Sequence, residues 1–291
     1  MDKAFRLLAI CTIALAFAAA SIAWAQTYMT VDYPGATDSS LNGGPNPQGA
    51  AVGSYDAPGI AHGGFVYYRG TFTPVDVPWA GPDGTIPFAI TPEGAVVGGY
   101  LDRDDNEHGF LLQNGRYSTI DYPGAAQTEI DGISPSGEMV GTICVDADCN
   151  DERSFLRSRT GQFISFRPPG AQASWSGPIN PPGVSVGAYY TDSGEHGYVQ
   201  YRGRFATIDF PGPGNYGTAC DGINPQGDIV GWYHDSSGAR HGYLLRGRIF
   251  TSFDFPGATA TSAQGINSRG TIVGAYGDTA GHVHGFVRTP R

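Results

Sequence analysis

Apolar and polar positions alternate in short runs along almost the whole chain, and no window holds a sustained apolar period of 3.6. Tyr28-Met-Thr-Val-Asp-Tyr33 opens the alternation and Gly285-Phe-Val-Arg288 ends it. Turn signals separate the runs: Asn-Pro-x-Gly, Arg-Gly or Asn-Gly, and Pro-Gly. Short strands joined by tight turns are predicted, with almost no helix beyond the N-terminus.

The runs recur as a set. The fullest copy is Asp221-Gly-Ile-Asn-Pro-Gln-Gly-Asp-Ile-Val-Gly-Trp-Tyr233, followed by His241-Gly-Tyr243 and Asp254-Phe-Pro-Gly257. Its turn returns at Pro45–Gly49, Ile90–Gly94, Ile133–Gly137, Ile179–Gly183 and Ile266–Gly270. The aspartate recurs at Asp32, Asp76, Asp121 and Asp209, with Arg167 in the fourth slot, at spacings of 42 to 46 residues. Each unit reads as four strands, which predicts an all-β, six-bladed β-propeller of antiparallel sheets over residues 26–291. The chain starts on a fourth-type strand and ends after a third-type one. The N-terminal strand therefore completes the last blade and closes the ring, leaving no open edge between first and last units. A right-handed β-solenoid is the alternative, but its rungs are usually shorter and need no permuted start.

The Gly-Ile-Asn-x-x-Gly-x-Ile-Val-Gly-x-Tyr stretch with its following His-Gly-Phe/Tyr resembles the bacterial extracellular HAF repeat family, named for its His-Ala-Phe tripeptide. The resemblance spans all six units, from about Tyr28 to Arg288. Glycine replaces the central alanine, unit three has Arg153-Ser-Phe155, and unit one has His62-Gly-Gly-Phe65. The resemblance implies an exported protein and lends no catalytic residue to these positions.

Composition agrees with a turn-rich β protein: 44 Gly, 21 Pro, 15 Phe and 16 Tyr stand against 15% charged residues. Residues 1–25 read as an export signal. Lys3 and Arg6 precede an apolar stretch from Leu7 to Ala20, and Ala23-Trp24-Ala25 offers a cleavage site before Gln26. The apolar run is short for a membrane anchor, and Leu8-Ala-Ile-Cys11 comes too early for a lipidation box. A secreted or periplasmic monomer is expected. Losing Asp2, Lys3 and Arg6 makes the formal net charge of −10 one unit more negative and removes the only lysine. That excludes nucleic acid as a partner, since phosphate backbones need clustered cations, and excludes Schiff-base chemistry. Cys144 and Cys149 flank a short loop and are expected to form a disulfide in an exported protein, with Cys220 buried.

Candidate chemistry is weighed against the repeat. The histidines at 62, 108, 196, 241 and 284 form one column, so they read as loop-holding residues and not as ligands of one metal. The aspartate column is expected to cap the Pro-Gly turn. Gly183-Val-Ser-Val-Gly187 matches a nucleophile elbow, but its register places Ser185 inside a strand. Asp102, Asp104 and Asn106, and likewise Asp146, Asp148 and Asn150, have the alternate spacing of a calcium loop without its later glycine and glutamate. They read first as solvated hairpin tips, and no cofactor is expected. Departures from the repeat gather on one face: Trp79, Trp175 and Tyr216, with Glu129, Asp131 and Asp221 beside the channel strands. Aromatic faces with nearby carboxyls suit sugar rings, although the same side chains can fill gaps between blades. The leading expectation is a non-catalytic binder of an extracellular glycan or protein. The alternatives are a glycoside hydrolase or lyase using those acids, and a structural surface component.

Overall fold

The computed structural model describes residues 26–82, 84–212 and 217–290, in which every helix or strand element is a strand. The export signal expected at residues 1–25 lies outside the described residues. After β1 (Thr27–Val31), the first blade is β2 (Asp38–Gly43), β3 (Ala51–Ala57), β4 (Ile60–Tyr68) and β5 (Thr71–Val75). The second is β6 (Thr85–Ile90), β7 (Val96–Leu101), β8 (Glu107–Gln113) and β9 (Arg116–Ile120). The third is β10 (Gln127–Ile133), β11 (Met139–Cys144), β12 (Glu152–Arg157) and β13 (Phe163–Phe166). Blade four is β14 (Ala173–Ile179), β15 (Ser185–Thr191), β16 (Gly194–Tyr201) and β17 (Arg204–Ile208). Blade five is β18 (Thr218–Ile223), β19 (Ile229–His234), β20 (Arg240–Arg246) and β21 (Ile249–Phe253). Blade six is β22 (Ala260–Ile266), β23 (Ile272–Gly277) and β24 (Val283–Thr289), with β1 as its outer strand. This is the six-bladed propeller that the periodicity predicts. β1 pairs antiparallel with β24 from Thr27 opposite Thr289 to Val31 opposite Gly285.

Each conserved-looking column has a packing reason. The aromatic after His-Gly is fully buried in all six blades, as Phe65, Phe110, Phe155, Tyr198, Tyr243 and Phe286. It lies over the Val-Gly glycine of the second strand; a Cβ on Gly141 would come 2.6 Å from the Phe155 ring. Between strands three and four, Arg69-Gly70, Asn114-Gly115 and Arg202-Gly203 have positive φ at both residues, the geometry of a two-residue hairpin turn that matches strand twist. The asparagine of each Asn-Pro turn does two things. The Asn46 side-chain oxygen accepts from the amides of Gln48, Gly49 and Ala50, while its Nδ2 donates to the Thr91 carbonyl of the next blade. Asn180 donates likewise to Asn224, Asn224 to Asn267, and Asn267 back to Asn46 across the closure.

The histidine column holds loops, but the aspartate column does not cap the turn as expected. The amide of the residue after each aspartate donates instead to a serine or threonine on the next inner strand, as Tyr33 does to Ser39, Val77 to Thr85 and Phe255 to Thr261. The aspartate is therefore free to accept from the histidine Nδ1: Asp121 from His108, Asp209 from His196, Asp254 from His241 and Asp32 from His284, all at 3.0 Å. In three blades a hairpin aspartate meets the other ring nitrogen, as Asp102, Asp235 and Asp278. Burial pulls the His108, His241 and His284 imidazoles down, but their flanking aspartates outweigh it and hold them above the usual histidine value. Unit three inverts the charges, with Asp151 bridging Arg153 and Arg167.

Because β1 supplies the outer strand of blade six, Asp32 for His284, and Tyr28 against Phe255 and Phe286, removing residues 26–34 is expected to lower the melting temperature by ten degrees or more. Differential scanning calorimetry of the truncated chain checks this; an unchanged melting temperature contradicts closure by this strand.

Candidate functional site

The innermost strands β2, β6, β10, β14, β18 and β22 surround a channel. Their pairing with the second strands slips in every blade at one place, between Leu41 and Gly43, Pro87 and Ala89, Ile130 and Gly132, Ser176 and Ile179, Cys220 and Gly222, and Ala263 and Gly265. A bulge leaves one residue unpaired and bends the strand. The residues passed over include Asn42, Phe88, Asp131, Gly177, Asp221 and Gln264, and all six line one cavity of about 300 Å³. The six positions hold Asn, Phe, Asp, Gly, Asp and Gln, so the bulge gives the repeat a variable position facing the channel.

Glu129 and Trp175 line the same cavity. The structure thus brings together four of the six residues singled out in the sequence. Trp175 packs its ring 5.0 Å from that of Tyr190. Trp79 does not line this cavity: it is 44% exposed on the loop face and donates from Nε1 to the Tyr100 hydroxyl at 3.0 Å. Tyr216 lies outside the described residues.

The acids are held by side chains, not by the backbone of the Gly-Ile turn. Asp131 Oδ2 accepts from the Thr142 hydroxyl at 2.7 Å, and Thr142 Oγ1 in turn accepts the Ser176 amide of the next blade. Glu129 is hydrogen-bonded to both Asp131 and Glu107. Burial pushes the Glu129 and Asp131 carboxyls up, and the neighbouring acids push Glu129 further. Across the channel, burial raises Asp221 from 3.8 to about 7 with Glu195 adding to it, while Arg240 and a hydrogen bond from Trp232 oppose the shift. Burial also raises Glu195 to about 7. Carboxyls raised this far are partly protonated near neutrality, and the protonated form can donate as well as accept hydrogen bonds.

Glu107, Glu195, Trp232 and Arg240 belong to this polar shell and were missed in the sequence. Their signal was present: Glu107, Glu152 and Glu195 all sit directly before the histidine column or its arginine substitute, where unit five has Arg240 and unit six Val283. The Arg240 guanidinium lies 4.1 Å from the Trp232 ring centroid.

The remaining candidates fall into structural roles. Asp102 Oδ1 accepts from the amides of Asp104 and Asn106, and Asp146 Oδ1 from that of Asn150, so each loop turns its oxygens onto its own backbone. Asp104 and Asp148 stay at the hairpin tips, and among the described residues no three His, Cys, Asp or Glu side chains are placed to hold a metal ion. Cys144 and Cys149 are joined at the base of the second tip, and Cys220 is buried. Burial, with Asp221 and Asp209 nearby, lifts the Cys220 thiol to about 12, away from reactivity. Ser185 is paired within β15, and its hydroxyl donates to Gln200. Among the described residues no helix is long and apolar enough to cross a membrane.

No family model and no curated protein matches the chain. Solved structures do. A mutant of AofleA from Arthrobotrys oligospora aligns with a TM-score of 0.55 at 12% identity, over 90% of this chain and 86% of that one. The Aleuria aurantia lectin, in complex with Fucα1-6GlcNAc, aligns at 0.53 and 9% identity over 85% and 90%. TolB from Acinetobacter baumannii aligns at 0.53 and 13% identity over 80% and 61%. At these identities the likeness is one of fold.

The raised carboxyls set a sign for pH dependence. A carboxyl at 3.8 when unfolded and about 7 when folded keeps its proton longer in the native state, so stability falls as pH rises between those values. Asp221→Asn, a neutral near-isostere, is expected to match the native chain near pH 4 and to exceed it by about 1–3 kcal/mol at pH 8. Urea unfolding at both pH values checks this; equal stability at pH 8 contradicts the upward shift of Asp221.

Proposed function

We propose that this chain is an exported propeller that binds a glycan in its central channel. One observation carries the reading: Trp175, Glu129, Asp131, Asp221, Asn42 and Gln264 line a single cavity of about 300 Å³. That size suits a small ligand, and its chemistry suits a sugar, with a ring face for C–H stacking and amides and protonated carboxyls for hydroxyls. Arginine, lysine and histidine are absent from the described lining, which favours a neutral glycan over an anionic one. The lectin neighbour crystallised with a fucosylated sugar lends the same direction at the level of fold. The leader and the resemblance to extracellular HAF repeats support export.

The hydrolase reading is weaker on geometry. A retaining glycosidase needs its two carboxyls ~5–5.5 Å apart and an inverting one ~6.5–9.5 Å. Glu129 and Asp131 are hydrogen-bonded to each other, so this pair is not set on either side of a glycosidic bond.

Glycan-array binding of the mature chain, followed by titration of the best ligand, tests the proposal. Trp175→Ala is expected to weaken binding several-fold, since one stacked ring contributes on the order of 1 kcal/mol. Trp79→Ala should leave that affinity unchanged. If Trp175→Ala instead costs ~3–5 kcal/mol of stability, as a buried packing residue does, the ring is interblade filler and the proposal fails.

A further inference from the structure

Blade four departs from the histidine clamp of its neighbours. In blades two, five and six the imidazole lies between two aspartates. Blade four turns through Asp192 and Ser193 alone, whereas blade five uses residues 235–239. The shorter hairpin removes the second carboxylate and brings in a hydroxyl. Ser193 Oγ lies 2.9 Å from His196 Nε2, and His196 Nδ1 lies 3.0 Å from Asp209 Oδ1. A carboxylate only accepts, so Asp209 fixes the proton of a neutral imidazole on Nδ1 and leaves Nε2 to accept from Ser193. The Thr191 hydroxyl is 2.7 Å from Ser193 Oγ and also accepts the Ser193 amide. When it donates to Oγ, the one proton of Ser193 is directed to the imidazole.

These three residues line a cavity of about 300 Å³ with Glu195, Phe210, Pro211 and Gly217. Phe210 and Pro211 give it an apolar wall. Glu195, 8% exposed, adds a carboxyl to the lining. From the Ser–His–Asp geometry and the cavity beside it, we propose that Ser193, His196 and Asp209 form a nucleophilic site that hydrolyses short-chain carboxylic esters of hydroxylated alcohols. Ser193 Oγ bonds to the ester carbonyl carbon while its proton passes to His196 Nε2. The C–O bond to the alcohol breaks, the alkoxide takes that proton, and the acyl group remains on Oγ. Water then adds to the acyl carbon and gives its proton to Nε2. The acyl–Oγ bond breaks, Ser193 recovers the proton, and the carboxylic acid leaves.

A fluorophosphonate probe and p-nitrophenyl acetate test this on the mature chain. Peptide mass spectrometry is expected to place the probe on Ser193. Ser193→Ala should abolish labelling, His196→Ala should slow it by about 100-fold or more, and Asp209→Asn should slow it too. Ester turnover should follow the same order. Ser193→Asp restores a carboxylate opposite Nε2, so it is expected to keep the native melting temperature while losing both labelling and turnover; this separates chemistry from folding. An unlabelled Ser193 in the folded native chain overturns the proposal. So does labelling at a rate that His196→Ala and Asp209→Asn leave unchanged in chains that still fold. Either result leaves the three residues as a loop clamp.

Discussion

Six inner strands must pass one another around a narrow channel, and in four of them a glycine stands where the backbones meet. A Cβ on Gly43 would sit 1.8 Å from the Phe88 carbonyl oxygen of the next blade, and one on Gly265 would sit 1.8 Å from that of Gly44 across the closure. No rotamer relieves such a contact, since the clash is with backbone. These glycines follow the bulged residue, so close approach and bulge are two aspects of one constraint. The bulge lets the strand bend as the backbones converge, and it turns the preceding residue toward the cavity. The Asn-Pro turns then tie neighbouring blades through side-chain amides, including the link from Asn267 to Asn46 that closes the circle.

The same constraint divides the residues into two kinds. The buried aromatic over its glycine recurs in every blade, and the histidine clamp and the turn asparagine recur in most of them. Those facing the channel at the bulge are free to differ, and here they include two acids, two amides and a phenylalanine. Chemistry therefore gathers where the repeat is broken. Blade four's altered clamp is a second break, at the rim and not in the channel.

Much of this was legible in the sequence. Spacing alone gave blade number, strand order and the role of residues 28–33, because four-strand units bury one face against the next and so must repeat. Glu129, Asp131, Asp221 and Trp175 were visible as departures from consensus. Other features depend on contacts between blades, which a single unit does not display. Glu107 meets Glu129 of the following blade, and nothing local to either marks the pair. Trp79 looked equivalent to Trp175, yet it precedes its inner strand and bonds Tyr100 instead of reaching the channel. The aspartate column was assigned to its adjacent turn because the competing serine or threonine lies on the next strand.

Burial with few cations nearby raises the channel carboxyls and lowers their charge near neutrality, which suits a neutral polyol better than an anion. Diffraction from the mature chain soaked with its best array glycan tests this most directly. The account predicts sugar density in the channel, a ring face against Trp175 and hydroxyls within hydrogen-bond reach of Asp131 or Asp221. Density confined to the Trp79 rim, or to the opposite mouth formed by the Asn-Pro turns, would contradict it.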